Sequence, residues 1–388
     1  DEVYMLQENY PHFFERDFHA VIGRVPPTPG GVSTMDDAGS RSLWAHEWEK
    51  AMKVAGDWAD GRYADHGLTV VMPWMAQRFP KEIAFGPDGA RVAFWSGRSG
   101  RNLDFRPKTL VNEYWKKWGM ALARDGGFSQ ERADDLAAMT VNAEGAARTH
   151  EVWLLPRDGS EDVATIKARA TAAARPPLVV ADPVWLTSTE AVGWPLHPKD
   201  PERFPRIEEV ISDYWNGLIG HSNVLRPTGF IEWGRNPYIR WGYNQHFRIG
   251  KMEDYYLRRN AWGLYARSGE RRYYEYATRF NRFSGDYSVA HRTRGDGKVK
   301  GAFVKYYAGP PIHWGHGVRL WARYIAGQSV KNWLLGYYLT GDEYALHIAK
   351  MIGDVYKQRW DESKVKGYLK ELSPYDTIER LIDLYTMD

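Results

Sequence analysis

One helical unit is written twice in this chain, and the two copies constrain its fold more than any other feature. Trp262–Phe280 reads WGLYARSGERRYYEYATRF and Leu334–Ile352 reads LLGYYLTGDEYALHIAKMI. Each copy joins an aromatic and aliphatic helical run to a second run through a hydroxyl residue, a glycine and an acid. These are Ser268-Gly269-Glu270 in the first copy and Thr340-Gly341-Asp342 in the second. A glycine just past a helix adopts the left-handed conformation without a Cβ penalty and closes the last turn. An acid directly after it can accept hydrogen bonds from the free N–H groups of the next helix and sits at that helix's positive end. Both copies are therefore expected to be tight αα-hairpins, with Glu270 and Asp342 as caps. Hairpins of this kind packed side by side build toroids or solenoids.

The chain before the hairpins has a different grammar. Gly67–Trp74, Lys81–Gly86 and Ala90–Gly97 are short apolar segments, and the last two flank Gly86-Pro87-Asp88-Gly89, the signature of a β-hairpin. His150–Pro156 reads as a further strand, and Val111–Ala123 and Gln130–Met139 as helical or mixed. The first 160 residues are expected to form a β-sandwich-like domain with inserted helices. An alanine-rich helix over Glu161–Ala174 and a proline-punctuated connector make 161–204 a linker. Residues 205–388 are expected to form the helical domain, with helices over Ile207–Ile219, Glu253–Arg267, Arg271–Phe283, Val318–Gly327, Val330–Leu339, Glu343–Gln358 and a last pair near 361–387. Phe230–Asn236 reads as an extended interruption. The fold class expected is α+β and multidomain: an N-terminal β-sandwich, then an (α/α) toroid with fewer helices than a full ring requires.

Composition narrows the function. The net charge is only +3, which argues against a dedicated nucleic-acid binder. No apolar run approaches the roughly 20 residues of a membrane helix, so no membrane insertion is expected. The absence of cysteine removes disulfides, thiolate metal sites and cysteine nucleophiles. The chain begins at Asp1, which suggests a processed chain or part of a longer one. No P-loop, dinucleotide glycine fingerprint, HExxH or GxSxG occurs, which removes the commonest nucleotide, zinc-protease and serine-hydrolase chemistries. The 18 Trp and 24 Tyr provide flat amphipathic rings, which suit stacking on sugars as well as filling a core.

Five stretches, in order, carry a resemblance. They are Asp57–Phe85, Arg148–Pro156, Ala181–Thr189 and the two hairpin copies with Trp333 before the second. Together they resemble the exo-rhamnogalacturonan-lyase-like family of polysaccharide lyases, which pair an N-terminal β-sandwich with an α/α toroid. The resemblance implies that fold, secretion to the periplasm, cell surface or exterior, and a carbohydrate substrate. Where the family has a carboxylate-rich turn after the first hairpin, this chain has Ser284 to His291, keeping one Asp and the His.

A lyase removes the C5 proton of a uronic acid and expels the C4 oxygen, so it needs a carboxylate neutraliser, a base and a proton donor. The insert from Ser284 to Gly317 holds these residue types and is expected to lack regular structure. His291 is the leading candidate for base or neutraliser, and His313 the second. Arg292, Lys305, Trp314 and His316 are candidate substrate contacts. His313 and His316 are three apart, but no acid stands at ligand spacing, so no metal site is assigned. Ca²⁺ is a cofactor that the chemistry would accept as neutraliser. Before the first hairpin, Arg240 and Tyr243 are candidate catalytic groups, Tyr243 as general acid because an ordinary phenol stays protonated at neutral pH. Trp241 and Asn244 beside them suit a saccharide subsite.

The expectation is a lyase cleaving an acidic, rhamnogalacturonan-like glycan. One alternative is a glycoside hydrolase using Asp254 and Asp286 as its carboxyl pair. The other is a non-catalytic glycan-binding subunit with partner chains in a larger assembly.

Overall fold

The computed structural model describes residues 2–7, 20–25, 34–35, 41–42, 47–52, 54–63, 65–99, 147–189, 192–193, 195–225, 229–230, 233–234, 239–241, 247–249, 255–292, 300 and 330–361. They form helices and antiparallel sheets, an α+β protein. The chain divides into two compact units: Asp1–Leu103 with His150–Leu178 and Thr228–Trp233, and Asp104–Thr149 with Val179–Pro227 and Gly234–Asp388. Among the described residues no helix is long and apolar enough to cross a membrane.

The first unit holds strands β1 (Glu2–Gln7), β2 (Ala20–Val25), β3 (Thr34–Met35), β4 (Arg41–Ser42), β5 (Glu47–Met52), β6 (Trp58–Arg62), β7 (His66–Val71), β8 (Lys81–Gly86), β9 (Gly89–Ala93) and β10 (Trp153–Asp158). Five of them form one antiparallel sheet in the order β5-β2-β1-β8-β9, and three form another in the order β10-β7-β6. Successive side chains of a strand point to opposite faces, and the paired strands β1 and β8 show the consequence. Met5 lies opposite Ile83, and both join Ala20, Val70, Met72 and Met75 in one core, to which β7 of the second sheet contributes. Tyr4 lies opposite Ala84, and these pack with Leu6 in a separate cluster. The predicted turn at Pro87-Asp88 closes the β8–β9 hairpin, with Gly86 opposite Gly89. Helix α1 (Val163–Ala174) starts where Asp162 accepts hydrogen bonds from Ala164 N and Thr165 N, at 2.9 and 3.0 Å.

The second unit is mainly helical. It contains α2 (Pro183–Ser188), α3 (Pro205–Leu225), a two-stranded ribbon of β11 (Ile239–Trp241) and β12 (Phe247–Ile249), and the two hairpins. The first hairpin is α4 (Tyr255–Ser268) with α5 (Arg271–Ser288), and the second is α6 (Lys331–Thr340) with α7 (Glu343–Asp361). Gly269 and Gly341 both take left-handed φ values, +68° and +70°. Each donates its N–H to the carbonyl four residues back, Tyr265 and Tyr337, at 2.7 Å. The hydroxyls before them behave alike: Ser268 Oγ donates to Leu264 O at 2.6 Å, Thr340 Oγ1 donates to Gly336 O, and each then accepts from the acid's N–H at 3.2 Å.

Three local expectations are corrected. Glu270 makes no capping hydrogen bond, because its carboxylate is drawn to Lys199 Nζ at 2.6 Å and Arg272 Nε at 2.7 Å. Within Phe230–Asn236, expected to be extended, the described residues turn instead: Trp233 N bonds to Gly229 O at 3.1 Å, and Gly229 and Gly234 have φ of +98° and +95°. The insert expected to begin at Ser284 starts later, since α5 continues through Ser288. The buried Ser284, Gly285 and Asp286 keep that last turn packed, as the hydrogen bonds on Asp286 below explain. The helices expected over Val111–Ala123, Gln130–Met139 and Val318–Gly327, and the pair near 361–387, lie outside the described residues, apart from α7's end at Asp361.

Candidate functional site

The end of α5 gathers the chemistry. Its amphipathic repeat places Arg272, Arg279 and Asp286 seven residues apart, on one helical face. Asp286 is fully buried and its carboxylate accepts three hydrogen bonds. Oδ1 accepts from Tyr344 O–H and Thr149 Oγ1, both at 2.6 Å, and Oδ2 accepts from Thr149 N at 2.8 Å. Arg148 Nη1 stands 3.6 Å from Oδ2. Burial, followed by the neighbouring negative charge of Asp286, pushes the Tyr344 phenol well above its ordinary value. It therefore remains a hydrogen-bond donor across the physiological range. This carboxylate clamps α5, α7 and the segment 147–149 together. Three of its roughly four lone-pair positions are taken by structural donors and it is sealed from solvent, so it does not serve the hydrolase alternative.

His291 follows directly. Its Nε2 lies 2.8 Å from the carbonyl oxygen of Gly285. A carbonyl only accepts, so Nε2 carries a proton, and the neutral tautomer this contact selects has its lone pair at Nδ1. That is the state a general base requires. Arg279, two turns before Asp286, is the cation that the sequence reading missed. Its guanidinium carbon lies 5.8 Å from the Tyr276 ring centroid, and among the described residues no carboxylate pairs with it. Desolvation lowers its pKa, opposed by the charges of Tyr276 and Glu275. An arginine held this way can receive a carboxylate from outside. Its seven-residue spacing from Asp286 was the one sequence signal that could have found it. The role of Tyr344 was hidden because the first hairpin has Arg272 at the corresponding position.

The other expected site residues fall out differently. Arg292 is an exposed bend residue just after His291. Arg240 and Trp241 lie on β11, opposite Arg248 and Phe247 of β12. Tyr243, Asn244, Asp254, Lys305, His313, Trp314 and His316 lie outside the described residues. Among the described residues no three of His, Asp and Glu come together as a metal would require.

The first unit buries a second polar group. Lys81 on β8 is completely enclosed, and its Nζ donates to Phe94 O at 2.7 Å and lies 3.2 Å from His150 Nδ1. The Phe94 and Phe230 rings lie 5.3 and 4.9 Å from the ammonium, and Phe94 stacks on His150 at 4.4 Å. The aromatic box and the two acceptors account for a cation in the interior.

No protein-family model matches this chain, and no curated protein matches it. The local chemistry therefore carries the functional reading.

Proposed function

We propose that the protein is a secreted polysaccharide lyase acting on an acidic, rhamnogalacturonan-like glycan. In this reading the two sheets that share a core form the β-sandwich, and the two hairpins belong to an (α/α) toroid. The observation that carries it is the His291 Nε2 bond to Gly285 O, which holds a histidine lone pair at Nδ1. Arg279 supplies a cation for the uronate carboxylate, acidifying the adjacent C5–H. His291 Nδ1 takes that proton, the C–H electron pair becomes the C4–C5 double bond, and the C4–O bond breaks. Tyr243 is the proposed donor to the departing oxygen. The burial of Asp286 and its three structural hydrogen bonds favour this chemistry over a two-carboxylate hydrolysis.

The test is ultraviolet absorbance of the unsaturated uronate during incubation with a panel of acidic polysaccharides, with and without Ca²⁺. Wild type should generate the signal. His291→Ala and Arg279→Ala should each lower it by about 10²-fold or more. A wild type that yields no unsaturated product on any acidic glycan overturns the reading.

A second reading, a subunit of a larger assembly, is favoured by α3. Ile207, Val210 and Tyr214 lie at i, i+3 and i+7 and are 57, 61 and 53% exposed, an apolar stripe facing outward. Val210→Asp should dissociate any oligomer that uses this face, as read by light scattering.

A further inference from the structure

We propose that α3 is a homodimer interface, packing antiparallel against α3 of a second copy of this chain across a two-fold axis near Val210. The inference rests on the reading of this helix as an assembly surface, and it names the partner which that reading leaves open.

Helix α3 has two faces. Glu208, Ile211 and Trp215 recur at i, i+3 and i+7 and face the protein: Glu208 and Trp215 are buried, and Ile211 packs against the core that holds Trp215 and Tyr276. Ile207, Val210 and Tyr214 recur at the same spacing on the outward face, each more than half exposed. Gly217 continues that stripe; it is exposed, and a Cβ there would meet nothing within 4 Å. Written as a heptad, the four are the a and d positions of a pairing seam. A glycine inside a helix is destabilising relative to alanine. No neighbouring atom of the chain calls for one at this position, whereas a helix approaching from outside does.

The charges beside the seam select the partner. Arg206 and Asp213 are seven residues apart on one edge of the stripe, the g position of the heptad. Both are exposed, and neither forms an ion pair among the described residues. A two-fold axis perpendicular to the helix keeps this edge on one side and reverses the chain direction, so positions almost equally far from Val210 on either side of it meet. Val210 then faces the partner's Val210, Ile207 faces the partner's Tyr214, and Arg206 faces the partner's Asp213, with the same pairs repeated beyond the axis. A parallel pair would set Arg206 against the opposite edge, where Ile211 offers no charge. An unlike partner would require no match between two residues of one helix. Complementarity within a single patch is the mark of an isologous contact. Glu209 lies farther round the helix, away from the seam, and takes no part.

Sedimentation equilibrium of the full chain over a concentration series tests this pairing. Wild type should associate reversibly to a dimer and no further, and Val210→Asp should leave monomer. Arg206→Asp and Asp213→Arg each set like charges against each other on both sides of the axis, and each should weaken the dimer at least about tenfold. A chain carrying both changes should dimerise as wild type does. The two single variants, mixed, should form the heterodimer in preference to either homodimer, and Glu209→Arg should change nothing. All these positions are exposed, so the variants should fold, which thermal melts verify. A wild type that stays monomeric overturns the proposal, and so does a charge reversal that the second change fails to rescue. If Val210→Asp dissociates an oligomer that both charge reversals leave intact, the assembly reading stands and the antiparallel homodimer falls. An oligomer that survives Val210→Asp removes both.

Discussion

The two hairpins repeat each other at the turn and part company in how they are held. At the turn, glycine φ, hydroxyl bonding and the five-residue closing bond coincide. The second helices also bury the same positions: Tyr273, Tyr276, Ala277 and Phe280 in α5, and Ala345, Ile348, Ala349 and Ile352 in α7. Yet the first hairpin packs rings edge to face, Trp215 of α3 against Tyr273 and Tyr276 at 5.3 and 4.8 Å, where the second helix of the other hairpin buries aliphatic side chains in a cluster with Trp333. The first is fastened at its α4 end by ions, with Arg267 bound to Glu208 and to the His197 carbonyl. The corresponding residue of the second is Leu339, which lines a cavity of about 290 Å³. A repeat can keep its turn chemistry while each copy's outer face takes a different task.

The largest effect should come from cutting the tie between the copies. Asp286→Ala removes the acceptor of the Tyr344 and Thr149 donors and the negative charge 3.6 Å from Arg148, and should cost at least about 3 kcal/mol in chemical denaturation. Tyr344→Phe, which removes one donor, should cost about 1 kcal/mol. If both variants unfold with wild-type midpoints, the hairpins are not joined through this carboxylate.

Much of this architecture was legible in the sequence, for a physical reason. Helix period, a left-handed glycine and a turn hydroxyl are local, so Ser268-Gly269 and Thr340-Gly341 announced both hairpins, and Pro87-Asp88 announced the β8–β9 turn. His291 was legible as a chemical type, though its tautomer depends on Gly285 O. What could not be read was whether an acid caps or pairs. Glu270 looked like Asp342, and what distinguishes them is its pairing with Lys199, 71 residues away, and with Arg272. Arg279 and Tyr344 were silent because their roles depend on which carboxylates tertiary packing brings near.

The ionic clasp of the first hairpin gives a pH test. Arg267 holds the Glu208 carboxyl below the ordinary carboxylate range, against burial that raises it. A depressed folded-state pKa contributes stability that is fully present above the unfolded value and is lost as pH falls through the folded one. Glu208→Gln should therefore destabilise by about 2 kcal/mol at neutral pH and by progressively less in acid. A destabilisation that stays constant with pH would show that the clasp works by packing alone. Leu339 has no ionisable group, so the second hairpin should show no counterpart.

At the turns, alanine scanning should separate positions that backbone angles make equal. Both glycines carry a left-handed φ, which costs an L-residue about 1–2 kcal/mol. A Cβ at Gly341 meets nothing within 4 Å, but at Gly269 it would come 2.8 Å from Val180 Cγ1. Gly269→Ala should therefore cost more than Gly341→Ala in thermal unfolding, and equal costs would mean that Val180 moves aside freely.

The smallest effects test the acids after the glycines. Asp342 Oδ1 accepts from Tyr344 N at 3.2 Å and from Arg282 Nη2 at 2.9 Å, so it both caps α7 and pairs with α5. Asp342→Ala should cost about 1 kcal/mol. Glu270 does not cap, and its pairs with Lys199 and Arg272 are part-exposed, so Glu270→Ala should cost only a few tenths of a kcal/mol, and less as salt rises. Exchanging the acids sharpens the point. Glu270→Asp shortens the reach to Lys199 and leaves the carboxylate near the free N–H groups of α5. If that variant is more stable than wild type, the first turn keeps the capping geometry of the second and has given up the cap for a distant ion pair. If it is less stable, the Lys199 contact is worth more than a cap at that position.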